Sequence, residues 1–113
     1  MKKSPPSSSG WPVLFFIHGG FLQFGWANKP IEGIAPLLQE TSFNAIIVAP
    51  AYRINAFGFL ASKELQDEAK KDGESAGNMG FWDQRMALEW TAKNIGLFGG
   101  DCQKITVAGY SAG

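Results

Sequence analysis

A chain of 113 residues with 45% hydrophobic and 18% charged side chains has the composition of a globular protein, and its length excludes more than one domain. Ten basic residues balance ten acidic ones, and a formal net charge of zero lacks the electrostatic footprint of a nucleic-acid binder or of a protein held to an anionic membrane. The single cysteine, Cys102, excludes an internal disulfide, and no run reaches the roughly 18 apolar residues of a membrane-spanning helix.

The chain opens Met1-Lys2-Lys3 and continues Ser-Pro-Pro-Ser-Ser-Ser-Gly. This Pro/Ser/Gly-rich stretch reads as a flexible leader over residues 1–11, ahead of a domain over 12–113. It lacks the apolar stretch that a signal peptide carries after its basic residues. Val13–Ile17, inside the apolar run that starts at Trp11, is short, rich in β formers and bounded by Pro12 and Gly19-Gly20. That pattern predicts a strand buried on both faces, as in a parallel sheet. Residues 20–30 are aromatic and glycine-rich and read as a loop. Ile31, Ile34, Leu37 and Leu38 have helical spacing, interrupted by Pro36. Ala45–Val48 predicts a second buried strand, closed by Pro50. Phe57–Leu60 is apolar but flanked by turn residues, and residues 62–78 predict a short helix and then a long loop.

Asp83–Asn94 predicts the longest helix, with Asp83 as its N-terminal residue and Gly96 as its stop. Met86, Ala87, Trp90 and Ile95 would form its apolar face, and Arg85, Glu89 and Lys93, four apart, a charged one. Ile105–Ala108 predicts a third strand that runs directly into Gly109-Tyr110-Ser111-Ala112-Gly113. Strands separated by helical segments argue for an α/β chain with about three central parallel strands and intervening helices.

The last five residues fit G-x-S-x-G. This spacing suits a serine on a tight strand-to-helix turn, its hydroxyl clear of the backbone, with glycines where side chains would clash. A plain glycine turn after a strand meets the same pattern, so the strand leading into it carries weight. His18-Gly19-Gly20 follows the first strand. Backbone N–H groups of such a loop can point at the oxyanion formed in acyl transfer, although a turn beside a core histidine reads equally well. His18 is the sole histidine. In the G-x-S-x-G arrangement the acid and the histidine follow the serine along the chain, so His18 is not expected to be the general base. Asp67, Glu68, Asp72 and Glu74 read as a solvated surface, and no spacing of carboxylates, histidine and cysteine suggests a metal site.

Together these blocks resemble the type-B carboxylesterase and cholinesterase family. Phe98-Gly99-Gly100-Asp101 through Gly109-Tyr110-Ser111-Ala112-Gly113 is similar to its active-site signature. Gly77-Asn78-Met79-Gly80-Phe81-Trp82-Asp83-Gln84-Arg85 through Trp90, then Asn94-Ile95, resembles the helix before it. Ala51-Tyr52-Arg53 with Ala56-Phe57-Gly58-Phe59-Leu60 resembles its Asn-Tyr-Arg…Phe-Gly-Phe-Leu block. His18-Gly19-Gly20 with Gly25 resembles its oxyanion loop. The order and spacing hold over residues 12–113.

The resemblance implies a partial α/β-hydrolase fold ending at the nucleophile elbow, and hydrolysis of a small-molecule carboxylic ester through an acyl-enzyme, without a cofactor or metal. Ser111 would be the nucleophile, and the backbone N–H groups of Gly20, Phe21 and Ala112 the oxyanion donors. Within the sheet Val13–Ile17 would lie between the other two strands, so that Ser111 and Gly20 emerge at neighbouring carboxyl ends. Arg53 and Asp83 would form a buried or half-buried ion pair rather than two separate surface charges, Asp83 also favouring the positive end of the helix dipole.

Three departures stand out. Phe21 occupies the position of the family's third loop glycine. Tyr110 replaces the glutamate that often precedes the nucleophile, which argues against a choline ester as substrate. Cys102 stands where proline is usual, at the turn into the third strand. The retained serine argues against a non-catalytic adhesion or binding relative, which would lose it. A 113-residue chain without a spare histidine is expected not to work as an esterase alone.

Overall fold

The computed structural model describes residues 10–40, 44–74 and 76–113. Of the leader expected over 1–11, residues 1–9 lie outside the described residues. Gly10 and Trp11 are ordered against the body of the chain, with the Trp11 N–H donating to the Gly99 carbonyl at 2.8 Å.

Three parallel strands form one sheet: β1 (Trp11–Ile17), β2 (Ile46–Val48) and β3 (Gly100–Gly109). Their order is β2-β1-β3, with β1 central as the resemblance implies. Val13 pairs with Ile46 on one side and Ile105 on the other, and Ile17 ends opposite Gly109. The alignment of β1 with β3 is broken between Trp11 and Val13. Pro12 lies at the break and has no N–H to give to a ladder. Opposite it, the Asp101 carboxylate accepts from the Gln103 N–H at 2.9 Å and meets Lys104 at 3.2 Å. Cys102 lies exposed in this irregular lead-in.

Burial of β1 alternates. Val13 and Phe15 are buried, while Leu14 and Phe16 are half-buried. Burial is therefore complete on one face only, not on both as the unbroken apolar run predicts. Val13 and Phe15 make the core with Tyr52 and Ile95.

The helices are α1 (Asn28–Glu40), which runs through Pro36, α2 (Asn55–Phe59), α3 (Lys63–Lys71) and α4 (Met79–Asn94). The Phe57–Leu60 block thus forms a short helix, α2. Ser62 caps α3, its hydroxyl accepting from the Leu65 N–H at 3.2 Å, with Glu64 in the first turn and Lys70 and Lys71 in the last, matching the helix dipole. A 3₁₀ turn, Ile95–Phe98, leads from α4 to β3 and closes at Gly99, whose φ is 82°.

Helix α4 corrects the sequence reading twice. It starts four residues before Asp83, after Asn78 in a left-handed conformation with φ 56°. Gly77-Asn78-Met79-Gly80 looks like loop by composition. Gly80 is helical because its missing side chain lets α4 press against the Arg53 carbonyl and the Phe59 ring. Gly80 and Thr91 are buried, Gln84, Ala87 and Leu88 are half-buried, and buried Ile95 follows, whereas Met86 and Trp90 are exposed. Only Gly80 is required to be small by close contact, and the buried Thr91 and the Gln84 amide nitrogen make the face partly polar, so hydrophobicity alone does not pick it out. Arg85 does pair with Glu89 at 2.9 Å.

Asp83 lies in the second turn of α4, too far along for a strong dipole contribution. Its partner is Arg53. The guanidinium grips both carboxylate oxygens at 2.8 Å, and the Arg53 backbone N–H donates to Oδ2 at 2.9 Å. The ion pair forms as expected, but only Asp83 is half-buried, its side chain 23% exposed, whereas Arg53 is exposed at 53%. Hydrogen bonding to the Arg53 side chain is the main cause that holds the Asp83 carboxyl below its ordinary value of 3.8. In the pH range between the folded and ordinary values the unfolded chain binds the extra proton, so stability rises with pH there. The contribution is complete above 3.8 and disappears as the pH falls through the depressed folded value. Asp83→Asn should lower the melting temperature at pH 7 by roughly 3–6 °C. The gap between variant and parent should close on acidification below 3.8, and a gap that does not change with pH would contradict this account. At Phe15, which is fully buried, truncation to alanine should cost about 3–5 kcal/mol in a urea titration.

Candidate active site

The carboxyl ends of β1 and β3 lie side by side, and the candidate residues sit where the chain leaves each strand. Ser111 stands two residues after the end of β3 and has a left-handed backbone, φ 58°. That conformation is uncommon for a non-glycine residue and costs about 1–2 kcal/mol. Closely packed backbones surround the turn. A side chain at Gly109 would strike the Gly113 backbone, one at Gly113 the Ile17 carbonyl, and one at Gly19 the Tyr110 carbonyl and the Ser111 Cβ. The Gly113 N–H closes the turn on the Tyr110 carbonyl at 3.0 Å. The serine is solvent-exposed at its crest.

Opposite, the chain leaves β1 through His18-Gly19-Gly20 and turns on the Gly20 carbonyl, which accepts from the N–H groups of Gln23 at 2.9 Å and Phe24 at 3.1 Å. Phe21 keeps a left-handed backbone, φ 55°, so the loop holds a glycine-like conformation without glycine there. No backbone carbonyl among the described residues accepts from the N–H groups of Gly20, Phe21 or Ala112. Gly20, Phe21 and Ser111 line one open cavity of about 630 Å³ with Phe24, Trp26 and Tyr110. The Lys29 ammonium stands 5.5 Å from the centre of the Trp26 ring.

His18 is buried and held on several sides. Its Nδ1–H donates to the Gly19 carbonyl at 2.9 Å, since a carbonyl can only accept. The ring stacks on Tyr52 at 4.4 Å and 21°, and the Gly25 backbone packs against its edge. Tyr52 in turn donates its hydroxyl to the His18 carbonyl at 2.5 Å. Burial pushes the Tyr52 phenol above its ordinary value of 10.0. Tyr52 is the supporting residue that sequence reasoning missed. A tyrosine just after a strand, beside an arginine, gives no sign of which loop its hydroxyl will reach. Among the described residues no group of three or more His, Cys, Asp and Glu side chains could hold a metal ion.

A serine on a left-handed turn after a parallel strand, facing a glycine loop from the neighbouring strand, defines the class of α/β-hydrolases with a nucleophile elbow. Residues 2–113 match the model of the carboxylesterase family. The chain belongs to that family. It is 62% identical over 109 residues to a carboxylic ester hydrolase of Gibberella moniliformis, covering 96% of this chain and 20% of that protein. With a secreted triacylglycerol lipase of Gibberella zeae it shares 45% over 104 residues, 90% of this chain and 16% of the other. The crystal structure of EstA from Aspergillus niger superposes with a TM-score of 0.74 at 36% identity, over 96% of this chain and 20% of that one. The chain thus spans between about a sixth and a fifth of the length of these relatives and forms part of the α/β-hydrolase fold.

Tyr52→Phe keeps the ring stack and removes only the hydroxyl donor. Leaving the His18 carbonyl unpaired should cost about 1–2 kcal/mol by denaturant titration. An unchanged midpoint would show that water replaces the bond.

Proposed function

We propose that this chain supplies the nucleophile and the oxyanion loop of a carboxylic-ester hydrolase acting through an acyl-enzyme. The observation that carries the reading is the left-handed Ser111 standing beside Gly20 and Phe21 in one cavity. Ser111 Oγ attacks the ester carbonyl carbon, and the oxyanion accepts hydrogen bonds from the N–H groups of Gly20, Phe21 and Ala112. A histidine takes the serine proton and gives it to the departing alcohol, leaving the acyl group on Ser111. Water then attacks the acyl carbon, and the acid leaves as the serine regains its proton.

We assign His18 to holding the loop rather than to that proton transfer, because it is buried, stacked on Tyr52 and packed against the Gly25 backbone. The base and the carboxylate that orients it are therefore assigned to segments equivalent to the rest of the longer relatives. Serine without an adjacent base is a poor nucleophile, so the 113 residues by themselves are inactive in this reading. Tyr110 brings no anion to the site, so the substrate is a neutral ester rather than a choline ester.

Two preparations test the proposal with a short-chain 4-nitrophenyl ester and a fluorophosphonate label. In the 113-residue chain, neither turnover nor labelling should exceed that of Ser111→Ala. In a chimera carrying this chain in place of the matching 109 residues of the Gibberella moniliformis hydrolase, turnover should appear and should drop by at least about 10³-fold in Ser111→Ala. Ser111-dependent turnover by the short chain would return His18 to the role of base. A chimera that is folded yet unlabelled at Ser111 would refute the assignment of the nucleophile.

A further inference from the structure

We propose that the side chain of Phe21 is a specificity determinant, a partition that restricts how large the ester arm on one side of the carbonyl can be. The proposal rests on the reading of Ser111 as nucleophile. Phe21 lines two cavities at once. One, of about 630 Å³, contains Ser111 and is walled by Phe24, Trp26 and Tyr110. The other, of about 650 Å³, contains no part of the elbow and is walled by Asn55, Ala56, Phe59 and Leu60 of α2 and the residue after it. Phe21 is 75% exposed and fills no core position, and among the described residues it is the one that lines both spaces.

The ring is held there by its backbone. Phe21 and Leu22 are both left-handed, with φ of 55° and 61°. The Leu22 carbonyl accepts from the Asn55 N–H at 2.6 Å, which ties the loop to the start of α2. The Phe24 ring flanks Phe21 at 6.1 Å between centroids and a tilt of 46°. A substrate whose carbonyl lies at Ser111 can extend one apolar arm among Phe24 and Trp26. An arm directed towards α2 meets the Phe21 ring, so only a slim group fits on that side. Removing the ring while keeping the N–H joins the two spaces and leaves the oxyanion donor in place.

The test uses the chimera with Phe21→Ala and Phe21→Gly, each assayed on two ester series. In one series the alcohol is 4-nitrophenol and the acyl chain grows from acetyl to octanoyl. In the other the acyl group is acetyl and the alcohol is enlarged. In whichever series presents its arm to α2, both variants should raise kcat/KM for the largest member relative to the smallest by at least about fivefold, mainly through KM. The two variants should agree in this ratio. Glycine relieves the left-handed strain and alanine does not, so a strain effect would separate them. Phe57→Ala, whose ring is exposed and lines neither cavity, should leave the ratios unchanged.

Ratios within about twofold of the parent in both series would overturn the proposal. A second measurement needs no turnover: quenching of tryptophan fluorescence in Ser111→Ala by straight-chain and branched ketones, with and without Phe21→Ala. Tighter binding of the bulkier ketones by the double variant supports the partition, and identical binding ladders overturn it. Absence of Ser111-dependent turnover in the parent chimera would count against the nucleophile assignment, while the ketone ladders still decide the role of Phe21.

Discussion

The site depends on the close approach of two backbones, residues 17–19 leaving β1 and residues 109–113 leaving β3. Three glycines permit it, and each would place a Cβ against a carbonyl or a main-chain carbon of the opposing or the same turn. Parallel pairing up to Ile17 and Gly109 delivers both segments to the same edge of the sheet. The glycines let these backbones pack closely, while Ser111 itself stays solvent-exposed at the crest of the turn. The strain is small beside the burial of Val13 and Phe15 in the same strand, and it is the kind of local cost that functional sites retain.

Support spreads outward from that approach through two polar contacts. Tyr52 reaches back from the end of β2 to the His18 carbonyl and fixes the loop from below. One residue on, Arg53 turns outward and binds Asp83 on α4 through three hydrogen bonds. Gly58 and Gly80 both pack on the Arg53 carbonyl, so α2 and α4 close on the same peptide unit from two directions. Adjacent residues of one extended segment thus connect the glycine loop to the helical layer. The exposure of Arg53 makes its charge less important than its geometry, since a bidentate fork fixes orientation where a single contact would not.

Much of this was legible in the sequence. The strands announce themselves as apolar runs ended by glycine or proline, and the resemblance supplied their order and the pairing of Arg53 with Asp83. What stayed hidden follows from how close packing works. On α4 the inward face mixes Gly80, Gln84, Ala87, Leu88 and Thr91, while Met86 and Trp90 stay exposed. A hydrophobic pattern cannot reveal a face that combines a glycine, a glutamine and a threonine with its aliphatic residues. Composition also misread the start of α4, where glycine and asparagine resemble a loop until their neighbours in space are known. The role of Tyr52 was hidden for a related reason, because its partner is 34 residues away and is a main-chain atom that no side-chain pattern records.

Phe21 shows which level of the structure sets the loop. Glycine is the residue that left-handed geometry favours, and the resemblance places glycine here, yet the phenylalanine adopts φ 55°. The conformation is therefore imposed by the surroundings: the turn on the Gly20 carbonyl, the Leu22–Asn55 bond and the buried His18 beneath. Asn55, the residue that holds Leu22, is itself left-handed at φ 53°, so the strain is shared along the contact. A scaffold that over-determines its loop in this way can accept a large residue where a flexible one would be easier. In the proposed reading the N–H then keeps its direction, and the side chain is free to vary with the ester placed beside Ser111.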